Sequence, residues 1–574
     1  MGRDFESHEN GSAQSAGDAM TIDHKMTGEM NIREMITDVV ERRRDHVFLV
    51  DAATSGEITY GEFHRQACAL AAELRRRGLR KGDRIAVMLP NSCELAILYF
   101  ACIYLGAVIV PTNPSLSKSD VQFILESCKP ALIVASSTSA DAIKTLHANV
   151  LTLITLQEAS KDAPGPDHIK HQIRIDDLAD EKEFVPLETS DAEDLIVIMY
   201  TSGTSAKPKG LAHRLGHMFR NALAFAGAQH LDQESRFYLT LSMAYMGGFY
   251  NLLVLPFLCG ASVVVDHVFD ARSSLFFWDK AKNNHVNTLW LAPTVLSILL
   301  RMDRGRTGEE FCRSSVRHAF VGFAPLPLKV KNEFEARYGV HLIENYGLSE
   351  TLFVTARSRT DLGAGGYVGE ALPGVELQIA NDNDSDNNQE GSVPPGADGE
   401  VQILTPDLMA GYLDADGALS KMDADFWFPT GDVGHLDERG SLFITGRKKD
   451  LIIRGGVNIS PAAIEESLMH IPGVAEVAVV SIPHELYGED VVAVLKLDAG
   501  VELESILDSV VAYAKRNLAQ HQQPARYISI DELPRTANGK VQKSRIRELV
   551  AQKLQVGSTA APRIQTTESA GLIR

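Results

Sequence analysis

The 574-residue chain has few cysteines and arranges none of them as a metal or redox motif. The six cysteines are scattered: Cys68, Cys93, Cys102, Cys128, Cys259 and Cys312. Most lie in apolar segments, and no pair has the Cys-x-x-Cys spacing, a pattern typical of small buried side chains in a reducing compartment. The pattern therefore excludes a disulfide framework and a cysteine-ligated metal site.

A long apolar run and a secretory leader are also missing. The longest apolar stretch, 251–265, is too short to cross a bilayer and contains Pro256. Residues 1–29 are polar and lack the apolar core of a signal peptide. These absences predict a cytoplasmic protein without a membrane span.

Positive charge is in deficit, because 56 Lys and Arg face 75 Asp and Glu, a formal net charge of −19. This balance argues against nucleic-acid binding and against an anionic membrane surface, although a local basic cluster can still bind a small anion. A hydrophobic content of 45% with 23% charged residues is typical of a soluble globular protein. At this length the chain should form at least two domains.

Alternating strand and helix patterns follow the first 30 residues, which lack periodicity and are predicted to be disordered. A Thr59-x-x-Glu62 capping box begins a helix that ends near Gly78. Further elements are predicted at 84–89, 94–105, 107–110, 120–127 and 131–135, then at 239–243, 251–258, 263–265, 288–291 and 319–321. This alternation predicts parallel sheets covered by helices on both faces.

The second half of the chain has a different texture. After Thr351, short strands such as 376–379 and 400–404 alternate with turns and predict a small distorted β-barrel. Residues 448–450 are the predicted domain boundary. A compact α+β unit follows, with a helix starting at Ser460-Pro461, strands 476–480 and 491–497, and a helix over 502–519.

A loop rich in hydroxyls, glycines and lysines follows the buried run 195–200. It reads Thr201-Ser-Gly-Thr-Ser-Ala-Lys-Pro-Lys-Gly210, and a segment with helical features begins at Leu211. A strand, such a loop and a helix together surround phosphates with N–H groups and side-chain donors. It is not a Walker A sequence, because Pro208 stands five residues after Gly203. The alternative, a flexible surface loop, is disfavoured by the two lysines around the proline.

Four further segments combine glycines with carboxylates, hydroxyls, aromatic rings or a lysine in short turn-like runs. They are 322–325 (Gly-Phe-Ala-Pro), 344–351 (Glu-Asn-Tyr-Gly-Leu-Ser-Glu-Thr), 430–432 (Thr-Gly-Asp) and 534–540 (Pro-Arg-Thr-Ala-Asn-Gly-Lys). Carboxylates can bind a Mg²⁺ ion that lies between phosphates. They can also accept hydrogen bonds from the hydroxyls of a ribose. Taken singly, each segment has a plain structural reading: a turn closing a strand, a helix start, a turn, or an exposed loop.

In this order, the motifs resemble those of the adenylate-forming enzymes: acyl-CoA synthetases, non-ribosomal peptide adenylation domains and beetle luciferases, with the acyl-CoA ligases most similar. The resemblance covers roughly residues 58–543, and Ala206 departs from the family's usual glycine. It implies an α/β fold whose large N-terminal domain, 31–447, has two βα-layered subdomains plus a distorted β-barrel. A small mobile α+β C-terminal domain, 448–553, and a flexible tail, 554–574, would follow.

The resemblance also implies residue roles. Lys540, Thr201, Glu350 and Arg447 would be catalytic, with Glu350 as the metal ligand. The nucleotide would contact Thr201, Ser202, Gly203, Thr204, Ser205, Lys209, Gly322, Ala324, Pro325, Asn345, Tyr346, Gly347, Thr351, Asp432, Arg447 and Lys540. The acyl pocket would be lined by Tyr245, Met246, Gly247, Phe249, Gly322, Phe323 and Leu348. Lys449 would be the hinge, and Gly455 and Gly456 would approach coenzyme A.

The implied reaction uses ATP, Mg²⁺ and coenzyme A. A carboxylate attacks the α-phosphorus, pyrophosphate leaves, and a thiol then attacks the acyl carbon. Catalysis of this kind needs positioning and charge neutralisation and no side-chain nucleophile. The apolar pocket wall, with no Asp between 236 and 265, favours a fatty or aryl acid over an amino acid.

Alternatives remain open at this point. Tyr245 replaces the His that many acyl-CoA synthetases have, which leaves the gating of the thioester step undecided. The acyl group could pass to a carrier protein or another biosynthetic acceptor instead of coenzyme A. A non-catalytic nucleotide-binding relative is the third reading, disfavoured by the presence of Lys540, Glu350 and Asp432. The sequence does not indicate an oligomeric state.

Overall fold

The computed structural model of the chain describes residues 31–136, 150–154, 172–178, 191–201, 208–357, 365–380, 393–414, 416–423, 425–536 and 540–556. The segment 1–30 and residues 557–574 lie outside this set, so the predictions of disorder and of a flexible tail stay predictions. No helix within the described ranges is long and apolar enough to cross a membrane.

Nine strands form the first sheet, whose larger part is parallel as predicted. In spatial order they are Leu419–Lys421, Gly411–Leu413, Lys209–Arg214, Leu195–Thr201, Val108–Pro111, Arg84–Met88, Leu132–Ala135, Val150–Ile154 and Gln172–Arg174. The last six run parallel. The first three add to this sheet by antiparallel pairing.

Seven strands form the second sheet, in the order Leu342–Glu344, His318–Val321, Thr288–Leu291, Arg236–Leu239, Ser262–Val265, Val47–Asp51 and Glu57–Thr59. All neighbours are parallel except the last pair. The strand predicted at 239–243 is wrong in its bounds. The strand ends at Leu239, and the Asn91 side chain satisfies the backbone groups that follow. It donates to Leu241 O at 2.9 Å and accepts from Met243 N at 2.9 Å.

Helices cover these sheets, and alternate strand residues enter different cores. Ile85 and Val87 belong to one buried cluster, and Ala86 and Met88 to another, as expected for a sheet covered on both faces. The helices of this part are Ile32–Arg43, Tyr60–Arg76, Cys93–Leu105, Lys118–Cys128, Leu215–Ala228, Leu255–Leu258, Phe277–Asn283, Pro293–Met302, Thr307–Ser315 and Leu328–Tyr338. The helix predicted over 251–258 is instead a π-helix, Gly247–Val254, continued by the short helix Leu255–Leu258.

The segment after the phosphate loop is a strand, and the prediction of a helix from Leu211 is wrong. Lys209–Arg214 pairs antiparallel with Leu195–Thr201, and the helix begins only at Leu215. Leu211, Ala212 and His213 are fully buried. Cross-strand pairing with the preceding strand therefore decides the conformation here, and the loop connects the two strands of a hairpin.

A six-stranded antiparallel sheet forms the predicted barrel-like part. Its order is Thr355–Ala356, Tyr367–Ala371, Leu442–Arg447, Phe428–Leu436, Gly399–Leu404 and Glu376–Ala380. Beside it, Gly347–Leu348 pairs with Leu352–Phe353. The strands predicted at 376–379 and 400–404 are confirmed here.

The C-terminal unit is α+β, as predicted, and follows the short 3-10 turn Lys448–Asp450. Its strands, in spatial order, are Val457–Ile459, Ile452–Arg454, Gly488–Leu497 and Val474–His484, with Arg526–Ser529 also paired to Gly488–Leu497. Its helices are Pro461–Leu468, Leu503–Asn517 and Lys543–Val556. The domain boundary itself stays a prediction.

Helices Leu328–Tyr338 and Pro461–Leu468, which belong to different units, are linked by hydrogen bonds at their ends. Helix Leu328–Tyr338 follows Pro327, whose side chain cannot accept a hydrogen bond, and Leu328 N donates to Glu466 Oε2 at 3.1 Å. In return, Lys329 Nζ donates to the carbonyl of Met469, at the end of the partner helix, at 2.8 Å. An anion at one helix N-terminus and a cation at the other C-terminus are both favourable to the helix dipoles. These contacts hold the C-terminal unit against the sheets.

All six cysteines are free thiols; five are buried and Cys259 is half-buried. Burial raises the pKa of the Cys68 and Cys312 thiols to about 12. The prediction of small buried side chains is confirmed for these positions.

Candidate active site

A buried carboxylate, Asp432, collects side chains from three predicted motifs. It pairs across two antiparallel strands with Arg447, whose Nε lies 2.6 Å from Asp432 Oδ1. Tyr346 Oη donates to Oδ2 at 2.7 Å. Asp432 is 3% exposed, and its backbone N–H donates to the hydroxyl of Thr430 at 3.0 Å. The carboxylate is thus held by two side chains, one at each oxygen, and its backbone is held by Thr430.

Lys540 lies in the electrostatic field of this cluster. Its own turn is closed by Thr536, which donates its N–H to Lys540 O at 2.8 Å and accepts from Lys540 N at 3.2 Å. Burial, then the cation of Arg447, lowers the pKa of the Lys540 amine to about 8, while the Asp432 carboxylate acts in the opposite direction. Burial, then Asp432, raises the pKa of the Tyr346 phenol well above its ordinary value, so this phenol stays a donor.

A cavity of about 390 Å³ opens beside the cluster. Its lining residues are Thr430, Gly431, Arg447, Lys448 and Lys449. Lys448 Nζ pairs with Glu400 at 2.8 Å. With three cationic residues in its lining, the cavity is suited to an anionic ligand. The predicted hinge, Lys449, is therefore placed at the cavity wall.

The metal-ligand candidate Glu350 is clamped by its surroundings. Tyr412 Oη donates to Glu350 Oε1 at 2.9 Å, and Met409 N donates to the Glu350 carbonyl at 2.8 Å. The preceding carbonyl, that of Ser349, accepts from His213 Nε2 at 2.6 Å. Burial lowers the pKa of His213 to about 4, so its ring is neutral and this nitrogen carries the proton.

The two ends of the phosphate loop lie next to this clamp. Thr201 and Lys209 are cross-strand partners at the loop end of the hairpin. Lys209 Nζ lies 5.6 Å from the centre of the Tyr412 ring. The predicted contacts Ser202, Gly203, Thr204 and Ser205 fall outside the described residues.

Gly322 and Asn345 follow neighbouring parallel strands and face each other. A Cβ placed on Gly322 would be 3.3 Å from Asn345 Oδ1. That oxygen is buried and has no hydrogen-bond partner in the described part of the chain. Because an unpaired buried acceptor is costly, it is suited to an N–H donor of a ligand. Ala324 is half-buried and Pro325 exposed on the same loop.

The turn that joins strands Gly347–Leu348 and Leu352–Phe353 leaves little space for side chains. A Cβ on Gly347 would lie 2.1 Å from Leu352 O, so only glycine fits. Thr351 is fully buried, and its hydroxyl accepts from Leu348 N at 3.3 Å. The hydroxyl of Thr351 therefore supports the turn that carries Glu350.

The predicted acyl-pocket residues divide into exposed and buried members. Phe323, 42% exposed at φ +74°, lies over Gly247, where a Cβ would be 2.8 Å from its ring. Tyr245 is half-buried and its Oη accepts from Asn113 Nδ2 at 3.2 Å. Met246 and Leu348 are half-buried. In contrast, Phe249 has no exposed surface and packs edge-on against Tyr99, behind the wall.

The predicted coenzyme A residues form the turn of a hairpin in the C-terminal unit. Gly455 and Gly456 have φ values of +59° and +82°, which glycine adopts without strain. Gly455 N donates to Tyr487 O, in the same unit, at 2.9 Å.

Sequence reasoning missed three residues that shape the site: Tyr412, His213 and Asn113. None lies in a recognised motif. For His213, the one available signal is a polar ring directly after the apolar pair Leu211 and Ala212, which indicates a hydrogen-bond partner in the core. For Tyr412 and Asn113 the sequence carries no such signal.

Two family models, curated proteins and solved structures match this chain. The sequence model of the family described as AMP-binding enzyme matches residues 36–413, and that of the AMP-binding enzyme C-terminal domain matches 463–540. Indoleacetate–CoA ligase of Aromatoleum aromaticum is 32% identical over 87% of this chain and 94% of its own length. Medium-chain fatty-acid–CoA ligase of Escherichia coli is 27% identical over 92% of both chains. ATP-bound MatB from Rhodopseudomonas palustris superimposes with a TM-score of 0.78 at 27% identity, covering 91% of this chain and 99% of MatB.

Proposed function

Because the chain belongs to the family of AMP-binding enzymes, we propose that it is an acid–thiol ligase that activates an apolar carboxylic acid with ATP. The carboxylate oxygen attacks the α-phosphorus, the bond to pyrophosphate breaks, and acyl-AMP forms. The thiol sulfur of coenzyme A then attacks the acyl carbon, and AMP leaves with the electron pair of the broken acyl–oxygen bond. The observation that carries the proposal is the convergence of Tyr346, Arg447 and Lys540 on Asp432 beside one cationic cavity.

The side chains around Asp432 fit a nucleotide. A carboxylate has about four lone-pair sites, so Asp432 can accept ribose hydroxyls while it keeps its bonds to Tyr346 and Arg447. Asn345 Oδ1 accepts the exocyclic amino group of adenine, which satisfies its unpaired lone pairs. Lys540 neutralises the charge that builds up between the attacking carboxylate and the α-phosphate.

The donor set also fits Mg²⁺ bound together with ATP. Among the described residues, no group of three or more His, Cys, Asp or Glu could hold a metal by itself. Mg²⁺ commonly takes only one or two carboxylates and completes its shell with phosphate oxygens and water. Glu350 supplies such a carboxylate beside the phosphate loop. The bound ion would neutralise phosphate charge.

The acid is proposed to be apolar. The two curated relatives above are named for an aryl acetate and a medium-chain fatty acid. In this chain the Phe323 ring lies against Gly247, and the hydroxyl of Tyr245, two residues before Gly247, is bonded to Asn113. Such a lining favours fatty or aryl acids over amino acids or short polar acids.

Pyrophosphate release measured across a panel of fatty, aryl and short polar acids, with and without coenzyme A, tests the proposal. We expect release with apolar acids, formation of their CoA thioesters, and little turnover of acetate or amino acids. Adenylation without any thioester product would replace coenzyme A by another acceptor, such as a carrier protein. No acid-dependent release at all would contradict the proposed activity.

The pH dependence of adenylation should report Lys540. Its amine, with a pKa of about 8 in the free enzyme, is charged below that pH and loses the charge above it. Because kcat/KM reflects the free enzyme, kcat/KM for acid-dependent ATP–pyrophosphate exchange should fall as the pH rises through about 8. In Lys540→Arg the guanidinium stays charged, so this descending limb should disappear. An unchanged limb in that variant would assign it to another group.

A further inference from the structure

Tyr412 joins two parts of the site that come from different strands. Its strand, Gly411–Leu413, adds to the edge of the phosphate-loop hairpin, with Tyr412 paired to Leu211. Its hydroxyl donates to Glu350 Oε1 at 2.9 Å, and Lys209 Nζ lies 5.6 Å from the centre of its ring. No motif of the sequence analysis includes this residue.

We propose that Tyr412 is the positioning residue for the metal-binding carboxylate of Glu350 and couples it to Lys209 of the phosphate loop. The proposal rests on the proposed function, in which Glu350 binds Mg²⁺ and Lys209 contacts the phosphates of ATP. A phenol donates a single hydrogen bond, so Tyr412 fixes the rotation of the carboxylate through Oε1. Oε2 has no hydrogen-bond partner within the described residues, and it is the oxygen left for a cation.

Two backbone hydrogen bonds connect Glu350 to the sheet through residues 409 and 410. Ala410 N donates to Ala212 O at 2.7 Å, which anchors the segment before Tyr412 to the hairpin. Met409 N then holds the Glu350 carbonyl at 2.8 Å. Backbone and side chain of Glu350 are thus bonded to one short stretch of chain. A two-point attachment restricts the carboxylate far more than the phenol alone.

The ring and the hydroxyl have separable roles. The hydroxyl contacts the carboxylate, whereas the ring face lies near the ammonium of Lys209, an arrangement that attracts cations. Loss of the hydroxyl should therefore weaken Mg²⁺ binding alone. Loss of the ring should also loosen the lysine and weaken ATP binding.

Tyr412→Phe and Tyr412→Leu test these roles in the full-length protein. Partners that orient metal ligands change metal affinity or activity by about 10- to 100-fold when removed. We expect Tyr412→Phe to raise the Mg²⁺ concentration for half-maximal adenylation about tenfold, with most of the maximal rate recovered at saturating Mg²⁺. Tyr412→Leu should in addition raise KM for ATP. Combined with Glu350→Gln, the Tyr412→Phe change should add nothing further.

A binding readout and a matched control complete the test. The gain in melting temperature from ATP with Mg²⁺, over ATP alone, should shrink in Tyr412→Phe. Tyr338→Phe is the control, since it removes a hydrogen bond of the same length, 2.9 Å, to the Asp303 carboxylate elsewhere in the chain. It should leave both Mg²⁺ readouts unchanged.

A wild-type Mg²⁺ requirement and melting gain in Tyr412→Phe would overturn the positioning role while leaving the activity standing. So would an equal loss of rate at every Mg²⁺ concentration, because that is the signature of damaged packing. A wild-type protein without acid-dependent exchange would instead contradict the proposed function.

Discussion

Lys540→Ala is expected to slow acyl-adenylate formation by about 100- to 1000-fold, the range found when one preorganised donor to a transition state is removed. The ammonium of Lys540 is half-buried beside Asp432 and Arg447, where its charge is weakly screened. It therefore acts most strongly as the carboxylate approaches the α-phosphate. Acid-dependent ATP–pyrophosphate exchange measures this step alone.

Transfer from chemically prepared acyl-AMP to coenzyme A should survive in the same variant, because the role proposed for the ammonium is confined to the first step. Lys553→Ala is the control: this lysine, on the last helix of the same unit, donates to the Ser529 carbonyl at the surface. Its exchange rate should match that of the wild type. Full exchange activity in Lys540→Ala would remove this residue from the mechanism.

Asp432→Asn is expected to lower kcat/KM for ATP by about 10- to 100-fold, because it removes the charged acceptor proposed for the ribose hydroxyls, and a hydrogen bond to a charged group contributes about 1.5–3 kcal/mol. Asparagine keeps the shape but takes away the charge that faces Arg447 at 2.6 Å. It also replaces the acceptor of the Tyr346 phenol by a weaker, neutral one. Initial rates over a range of ATP concentrations give kcat and KM.

Asp398→Asn provides a matched control for that change. Asp398 is half-exposed and pairs with His435 at 2.8 Å on the surface of the antiparallel sheet. Exposed pairs of this kind contribute little, so both constants should stay at their wild-type values. An unaltered kcat/KM for ATP in Asp432→Asn would remove this carboxylate from the nucleotide site.

Local patterns predicted the strands that are short, apolar and buried on both faces. Thr288–Leu291 and Ser262–Val265 are such runs, and their positions are confirmed within one residue. The errors arose where bonds to another segment of the chain decide the conformation. Lys209–Arg214 becomes a strand through pairing with Leu195–Thr201, and Asn91 takes the backbone groups of 241 and 243 out of the sheet.

The site was predictable only through the order of its motifs. By residue chemistry alone, Asp432 reads as part of a turn and Lys540 as an exposed charge, and only the resemblance joined them to Tyr346. Tyr412 could not be found in this way. Its importance lies in contacts with Glu350 and Lys209, which are 62 and 203 positions away in the sequence. Such contacts are set by the folded sheet and leave no local pattern.

The linked helix ends have a consequence for truncation experiments. In a chain cut at residue 447, the first N–H of helix Leu328–Tyr338 would lose Glu466 and be left to water. This first turn follows directly on the loop Gly322–Pro325, which faces Asn345. Deleting the C-terminal unit would thus disturb the proposed adenine contacts around Asn345 as well as remove Lys540. Point variants, rather than shortened chains, are the means of assigning roles here.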